Sequence, residues 1–400
     1  MNVVTLAWRY LWSRPLAALL NLGLMSLGLA CVTFLLLVGA QIERAFQRDL
    51  AGIDLVVGAK GSPIQLILAG VFHIDVPPGN IRLADLQELA KHPQVAQVIP
   101  LSLGDSYQGY RVVGTSADYL AHYGAKLSQG RVWDGELQAV LGADVARSSG
   151  LALGEKFSGS HGLGGGGGEH GETPYQVVGH LAACNCVLDR LILTGTESVW
   201  AVHEKGGGAT GKDRALADDA HEVTLALVRY KTPLAAVTLP RHVNTSTSMQ
   251  AAAPAIEVTR LLHMLGVGST VLQAFAAVLL LIAGLSVFMA LWNAVRERQG
   301  DLAMLRMLGA GPGRIAGLVL CEAFCLVALA CLIGLPIGHL LAALLGLALE
   351  AQRSLHISGW IWVQGELLVL ALAWLLALLA ASFPAVLAYR VDVAQLLESR

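Results

Sequence analysis

Residues 296–322 read RERQGDLAMLRMLGAGPGRIAGLVLCE, a short charged stretch between two long apolar runs. Arg296, Glu297, Arg298, Gln299 and Asp301 make a polar entry. Leu302, Leu305 and Leu308 follow at near-helical spacing and can form one apolar helix face. Gly309-Ala310-Gly311-Pro312 stops that helix, and a new one restarts at Arg314. By composition alone the stretch is equally an interfacial connector held by snorkelling arginines or a docking element. Its surroundings decide between them.

Those surroundings are too apolar for a soluble protein. The chain is 55% hydrophobic and 14% charged, with mean hydropathy +0.59. Four uncharged runs are long enough for a bilayer, which takes about 20 apolar residues. They lie between Arg14 and Glu43, between Arg260 and Arg296 (most apolar over 270–294), over 323–349 and over 367–389. The first has Arg9 and Arg14 ahead of it and a Val38-Gly39-Ala40 sequence like a signal-peptide cleavage site. Its apolar stretch exceeds the usual run of about 7–15 residues, which favours a retained anchor. The formal net charge of −2 gives no reason to expect a nucleic-acid partner.

Arginine placement sets the orientation. Arg9 and Arg14 precede the first span, Arg296, Arg298, Arg306 and Arg314 lie between the second and third, and Arg390 and Arg400 follow the fourth. The loop between the third and fourth carries Arg353 with Glu350 and Glu366. The positive-inside rule puts both termini and the 296–314 loop in the cytoplasm, and the long stretch between spans one and two outside. The expected fold is therefore an integral membrane α-helical protein, with four transmembrane helices and a large extracytoplasmic α+β domain between helices 1 and 2. The expected division is a cytoplasmic amphipathic lead-in over 1–15, the first span over 16–42, and an external core domain with stalk helices over 43–265. The second span follows over 266–295, a cytoplasmic coupling loop over 296–314, and the third span over 315–349. A short external loop covers 350–366, the fourth span 367–389 and a cytoplasmic tail 390–400.

Within the external part, residues 41–50 and 254–265 keep helical spacing and read as stalks joined to spans one and two. Strands are expected at 55–58, 110–114, 138–142, 175–181, 190–193 and 222–230, and helices at 85–91 and 143–149, the latter ended by Gly150. Residues 61–74 are too apolar for an exposed loop, which suggests contact with a membrane or a second subunit.

Chemistry-bearing motifs are sparse. Residues 206–213, GGGATGKD, approach a phosphate loop, but its last position must be Ser or Thr to ligate magnesium, and here it is Asp213. No bound cofactor and no enzymatic activity are expected of this chain. His161, Glu169, His170 and Glu172 cluster in a glycine-rich loop, with Cys184 and Cys186 beyond it. These are zinc- and copper-ligating residue types, but their spacing matches no structural site, so no metal is assigned and they stand only as weak candidates. The C-x-C spacing of Cys184 and Cys186 is too tight for an easy disulfide, and the other four cysteines fall in apolar runs. Glu322 and His339 are intramembrane polar residues, costly unless paired or near an interface. Residues 334–338, GLPIG, are expected to kink span three, with packing favoured over a functional gate at the kink.

The run R-E-R-x-x-D-L-A-M-L-R-M-L-G-A-x-x-x-R-I from Arg296, followed by Glu322, resembles the signature of the FtsX-like permeases, the MacB type of ABC transporter. Residues 6–11 with Arg14-Pro15, residues 138–150 with 175–179, and the ending 388–397 resemble the same family's start, external core and tail. The resemblance implies a bacterial inner-membrane permease subunit working as a homodimer or pseudo-dimer among membrane lipids. A separate cytoplasmic ABC ATPase, holding ATP and magnesium, would dock on the loop after the second span. Its hydrolysis would be relayed through the stalks to the external domain, for export or extraction of a substrate. A periplasmic adaptor or binding protein is a further partner the family admits. The contact residues carried over are Arg298, Asp301, Leu302, Leu305, Arg306, Leu308, Gly309 and Arg314. The alternative is a membrane-anchored regulator or binding protein whose external domain recruits a partner, metal-linked or not, without transport.

Overall fold

The computed structural model describes residues 3–162, 173–206, 221–351 and 357–390. In chain order the elements begin with α1 (Val3–Leu11), α2 (Pro15–Leu50), β1 (Leu55–Ala59), α3 (Pro63–Gly70), β2 (Ile81–Arg82), α4 (Leu83–Ala90), β3 (Val95–Tyr107) and β4 (Tyr110–Thr115). There follow α5 (Ala117–His122), β5 (Leu127–Gly130), β6 (Gln138–Leu141), α6 (Ala143–Ser149), β7 (Lys156–Phe157), β8 (Ser160–His161), β9 (Tyr175–Leu181), a 3-10 turn at Val187–Arg190 and β10 (Leu191–Gly195). Next come α7 (Thr196–Gly206), β11 (Glu222–Val223), β12 (Leu225–Tyr230), α8 (Ala235–Ser246) and β13 (Met249–Ala252). The chain ends with α9 (Pro254–Glu297), α10 (Gln299–Met307), α11 (Pro312–Ala351) and α12 (Gly365–Tyr389).

These elements fall into two compact units. One comprises Met1–Ile42, Leu265–Ala351 and Leu355–Arg400, the other Glu43–Met264 with Gln352–Ser354. Among the described residues, four helical stretches are long and apolar enough to cross a membrane: Pro15–Leu50, Thr270–Glu297, Pro312–Leu349 and Gly365–Tyr389.

Helix contacts in the first unit are made by small residues, as expected where lipid supplies no hydrophobic drive between helices. Ala373, Ala377, Ala381 and Ala385 recur every fourth residue on α12, and all are buried. Gly334 and Gly338 do the same job on α11. A Cβ on Gly334 would sit 2.7 Å from the Ser26 carbonyl oxygen of α2, and one on Gly338 would sit 2.8 Å from that of Ala30. Helix α11 runs unbroken through Pro336, so this segment is a close helix–helix approach.

In the second unit, eleven of the described strands form one mixed sheet, with main path β13-β1-β12-β3-β4-β10-β6-β9-β5. Its β4–β10 and β6–β9 pairs are parallel. Both faces are covered, which is why β1 and β12 read as continuous apolar runs. Successive residues still point to opposite faces. Val56, Leu225 and Leu227 join one core with Leu66 and Ile67 of α3. Leu55, Val57, Ala226 and Val228 join another with Leu86 and Leu89 of α4 and Leu239 and Val243 of α8.

Against expectation, the apolar 61–74 segment is covered by its own domain. It folds as α3 and packs inward, with Leu66, Ile67, Val71 and Phe72 buried in this unit's own core. Its polar residues are absorbed too. Arg111 donates to the carbonyls of Ala69, at 3.3 Å, and Asp75, at 2.8 Å. His73 adopts φ +55 and lies 3.0 Å from the Tyr119 hydroxyl.

Burial, with Arg111 and Arg190 adding to it, holds the His73 pKa well below the ordinary 6.5. The unfolded chain therefore binds a proton near pH 6.5 that the folded protein refuses. The contribution is complete above about pH 6.5 and is lost as pH falls towards the folded pKa, by up to about 1.4 kcal/mol per pH unit. His73→Asn, which tolerates the left-handed backbone, should flatten this acid limb in thermal melts of the full chain between pH 7.5 and 5. Parallel curves for the two proteins would show that another group carries the limb.

Candidate functional site

The 296–322 segment folds as the end of α9, the short helix α10 and the start of α11. Gly309, at φ +94, makes the left-handed turn that separates α10 from α11. The three leucines do not share an environment, contrary to the single apolar face expected from their spacing. Leu302 is buried, Leu305 is half-buried against the same cluster, and Leu308 is 85% exposed. The exposed apolar ridge is instead Met304, Met307 and Leu308, at i, i+3 and i+4. Asp301 and Arg314 are also exposed, and Arg306 is half-buried. Spacing alone could not show which side of a nine-residue helix its neighbours cover.

Arg298 holds the covered side. It stands at the N-cap position of α10, and its guanidinium reaches three elements. Nη1 is 3.3 Å from Glu322 Oε1 on α11. Nη2 donates to the Tyr10 carbonyl of α1 at 2.9 Å and to Ser13 Oγ at 2.6 Å. The guanidinium carbon also lies 4.5 Å from the Tyr10 ring centroid, a cation–π contact. Burial raises the Tyr10 phenol pKa, and Asp301 adds to the rise. Arg14 pairs with Glu297 alongside. Ala7 of α1 and Leu302 of α10 are buried in one cluster with Ile315, Leu318 and Val319 of α11. The other face of α1 exposes Val4, Trp8 and Trp12, one turn apart each. Tyr10 and Ser13 were beyond sequence reasoning, because nothing local marks a partner 288 residues away.

The second intramembrane candidate also has a partner. His339 Nε2 is 3.0 Å from Glu366 Oε2, and its Nδ1 is 2.7 Å from the Gly359 carbonyl. Glu366 is fully buried, and its Oε1 accepts the Val363 N–H at 2.9 Å. Gln41 clasps Ser358 through two hydrogen bonds, at 2.8 and 2.9 Å. Ser358, Gly359 and Val363, ahead of α12, are thus tied to α2, α11 and the first turn of α12.

The metal candidates are only partly visible. His161 lies on β8, with Nδ1 3.3 Å from Asp105 Oδ1. Glu169, His170 and Glu172 lie outside the described residues, as do residues 207–213 of the phosphate-loop-like run. Among the described residues no group of three or more His, Cys, Asp or Glu side chains could hold a metal ion. Cys184 and Cys186 are bonded to each other, against expectation. Asn185 takes φ +53, and that left-handed turn brings the two Cα atoms to 5.1 Å, inside the range a disulfide needs.

Residues 274–390 match the family model for the FtsX-like permease C-terminal region, and residues 18–201 match that for the MacB-like periplasmic core domain. The chain belongs to the FtsX-like, MacB-type family of ABC transporter permeases. It is a multi-pass membrane protein with its periplasmic-type α/β domain between the first and second spans. It is similar to the macrolide export ATP-binding/permease protein MacB 1/2 of Paracoccus denitrificans, at 26% identity over 82% of this chain and 48% of that protein. The chain thus spans about half the length of that relative. Among solved structures it resembles the periplasmic region of MacB from Actinobacillus actinomycetemcomitans, at 14% identity and TM-score 0.35 over 53% of this chain and 95% of that one. It also resembles the extracellular domain of the transporter YknZ from Gram-positive bacteria, at 14% identity and TM-score 0.30 over 50% and 98%.

Proposed function

We propose that this permease converts ATP hydrolysis by a separate cytoplasmic ATPase into motion of its periplasmic domain, for export or extraction of a substrate. The Met304–Met307–Leu308 ridge of α10 carries this reading. A short helix with one side packed and latched, and the other apolar and exposed, is a preformed ridge for a partner's groove. Arg298 and Leu302 pass load from α10 to α11 and α1, and α9 is the helix that leads in the chain from β13 to α10. The subunit sits in the inner membrane with both termini cytoplasmic, acts as a dimer, and leaves ATP and magnesium to the ATPase. A periplasmic adaptor or binding protein completes the assembly.

The test is binding of a cytoplasmic ABC ATPase of the MacB type from the same organism to the purified permease. Met304→Asp with Leu308→Asp should weaken that complex by about 30-fold or more, the scale of one central interface residue. Both side chains are exposed, so the fold should survive, and the melting temperature should be unchanged. Undiminished binding by the double variant would remove α10 as the docking element.

A further inference from the structure

We propose that Cys184 and Cys186 form a thiol–disulfide exchange site, seated against the C-terminal turn of α2, that reacts with the thiols of a protein dithiol or of a small thiol compound. Their placement sets the pair apart from the other cysteines. Cys31 lies in α2, and Cys321, Cys325 and Cys331 lie in α11, among the apolar residues of helices long enough to cross a membrane. Cys184 and Cys186 lie in the connection after β9, in the periplasmic-type domain, where disulfides persist.

A stabilising staple is a poor account of this bond. Chain-entropy stabilisation grows with the logarithm of the loop closed, and a pair two residues apart sits at the bottom of that scale. The two sulfurs are also unequal. Cys184 is half-buried, whereas Cys186 is only 7% exposed. The Cys186 N–H lies 3.2 Å from Cys184 Sγ, and Asp189 Oδ1 lies 3.4 Å from the same sulfur, ready to accept its thiol proton once the bond is open. Exchange in both directions therefore runs through Cys184. An incoming thiolate attacks Cys184 Sγ, the Cys184–Cys186 bond breaks, and Cys186 leaves as a thiolate that takes up a proton. A second thiol then attacks the incoming sulfur and releases Cys184. The incoming pair is oxidised by two electrons and the protein pair is reduced.

The surroundings connect this chemistry to α2. The Cys184 N–H donates to both carboxylate oxygens of Asp189, at 3.0 and 3.2 Å. The Val187 N–H, just past Cys186, donates to buried Asp49 Oδ1 in the last turn of α2 at 3.1 Å. Cys186 belongs to the core against which Phe46 and Leu50 of the same helix pack. Opening the bond frees the loop that seats this turn.

The test uses the purified full chain in glutathione buffers of graded redox poise, so its outcome depends neither on membrane orientation nor on the ATPase. Thiol trapping and mass spectrometry of the 184–186 peptide should show reversible interconversion of disulfide and dithiol. Cys186→Ser should accumulate a glutathione adduct on Cys184, while Cys184→Ser should leave Cys186 unmodified. Reduction should raise amide exchange over residues 44–50 at least tenfold, and the Cys184→Ser, Cys186→Ser double variant should already exchange at the raised rate. Resistance to reduction until the protein is denatured, free thiols at every poise, or adducts on Cys186 would each overturn the exchange site. Unchanged exchange at 44–50 would overturn its link to α2.

Discussion

Gly338→Leu is expected to yield no folded permease, and Gly334→Leu the same. At both positions the obstacle is backbone. The added Cβ would stand 2.8 Å from the Ala30 carbonyl oxygen or 2.7 Å from that of Ser26, before the rest of the side chain is counted. A flexible side chain could turn aside, but a helix backbone can yield only by moving α2 away from α11. Overpacking typically costs about 1–3 kcal/mol, and a separation of two helices belongs at or beyond the top of that range. Gly317 is the control on the same helix, because nothing lies within 4 Å of a Cβ built there. Gly317→Ala should express normally, and its melting temperature should hold or rise, since alanine favours a helix over glycine by about 1 kcal/mol. Size-exclusion profiles in detergent compare the three variants directly. A monodisperse Gly338→Leu protein with normal stability would refute the close α2–α11 contact.

The second large effect concerns Arg298 and Glu322, whose side chains are only 13% and 9% exposed. Removing one partner of a buried ion pair strands the other, a loss of about 3–5 kcal/mol. Glu322→Ala should therefore lower the melting temperature sharply. Arg298→Ala should do so too, and also release the Tyr10 carbonyl and Ser13 hydroxyl. The double variant Arg298→Ala with Glu322→Ala should be less damaging than the two single losses added together, because neither charge is left alone. Thermal melts of the four proteins in one detergent close the cycle. Additive losses would mean that the two residues act independently and that no ion pair joins α10 to α11.

The four spans, and the apolar character of strands such as β1 and β12, were legible because they depend on composition and period. The external stretch between spans one and two could be recognised as α+β for the same reason. The 61–74 segment was misread because an apolar run says only that it must be covered, not by what. Here the cover is the segment's own domain. Cys184–Cys186 was misread because spacing does not reveal backbone conformation. The left-handed turn at Asn185 decided it. The 296–322 segment stood out by its charge between two apolar runs, but the division of its apolar residues between packing and display was not readable. That division depends on α1 and α11 covering one side of α10.

Sequence by itself determined that this chain crosses a membrane four times, carries its large domain between the first two spans, and resembles a permease family through a charged loop. Those properties follow from local chemistry: apolar length, charge placement and a motif contiguous in the chain. Only the tertiary structure decided that Arg298 binds Tyr10, Ser13 and Glu322, that His339 meets Glu366, and that Met304 and Met307 join Leu308 in an exposed ridge. Each of these depends on residues distant in the chain being packed together, and a buried charge takes whichever partner that packing brings within reach.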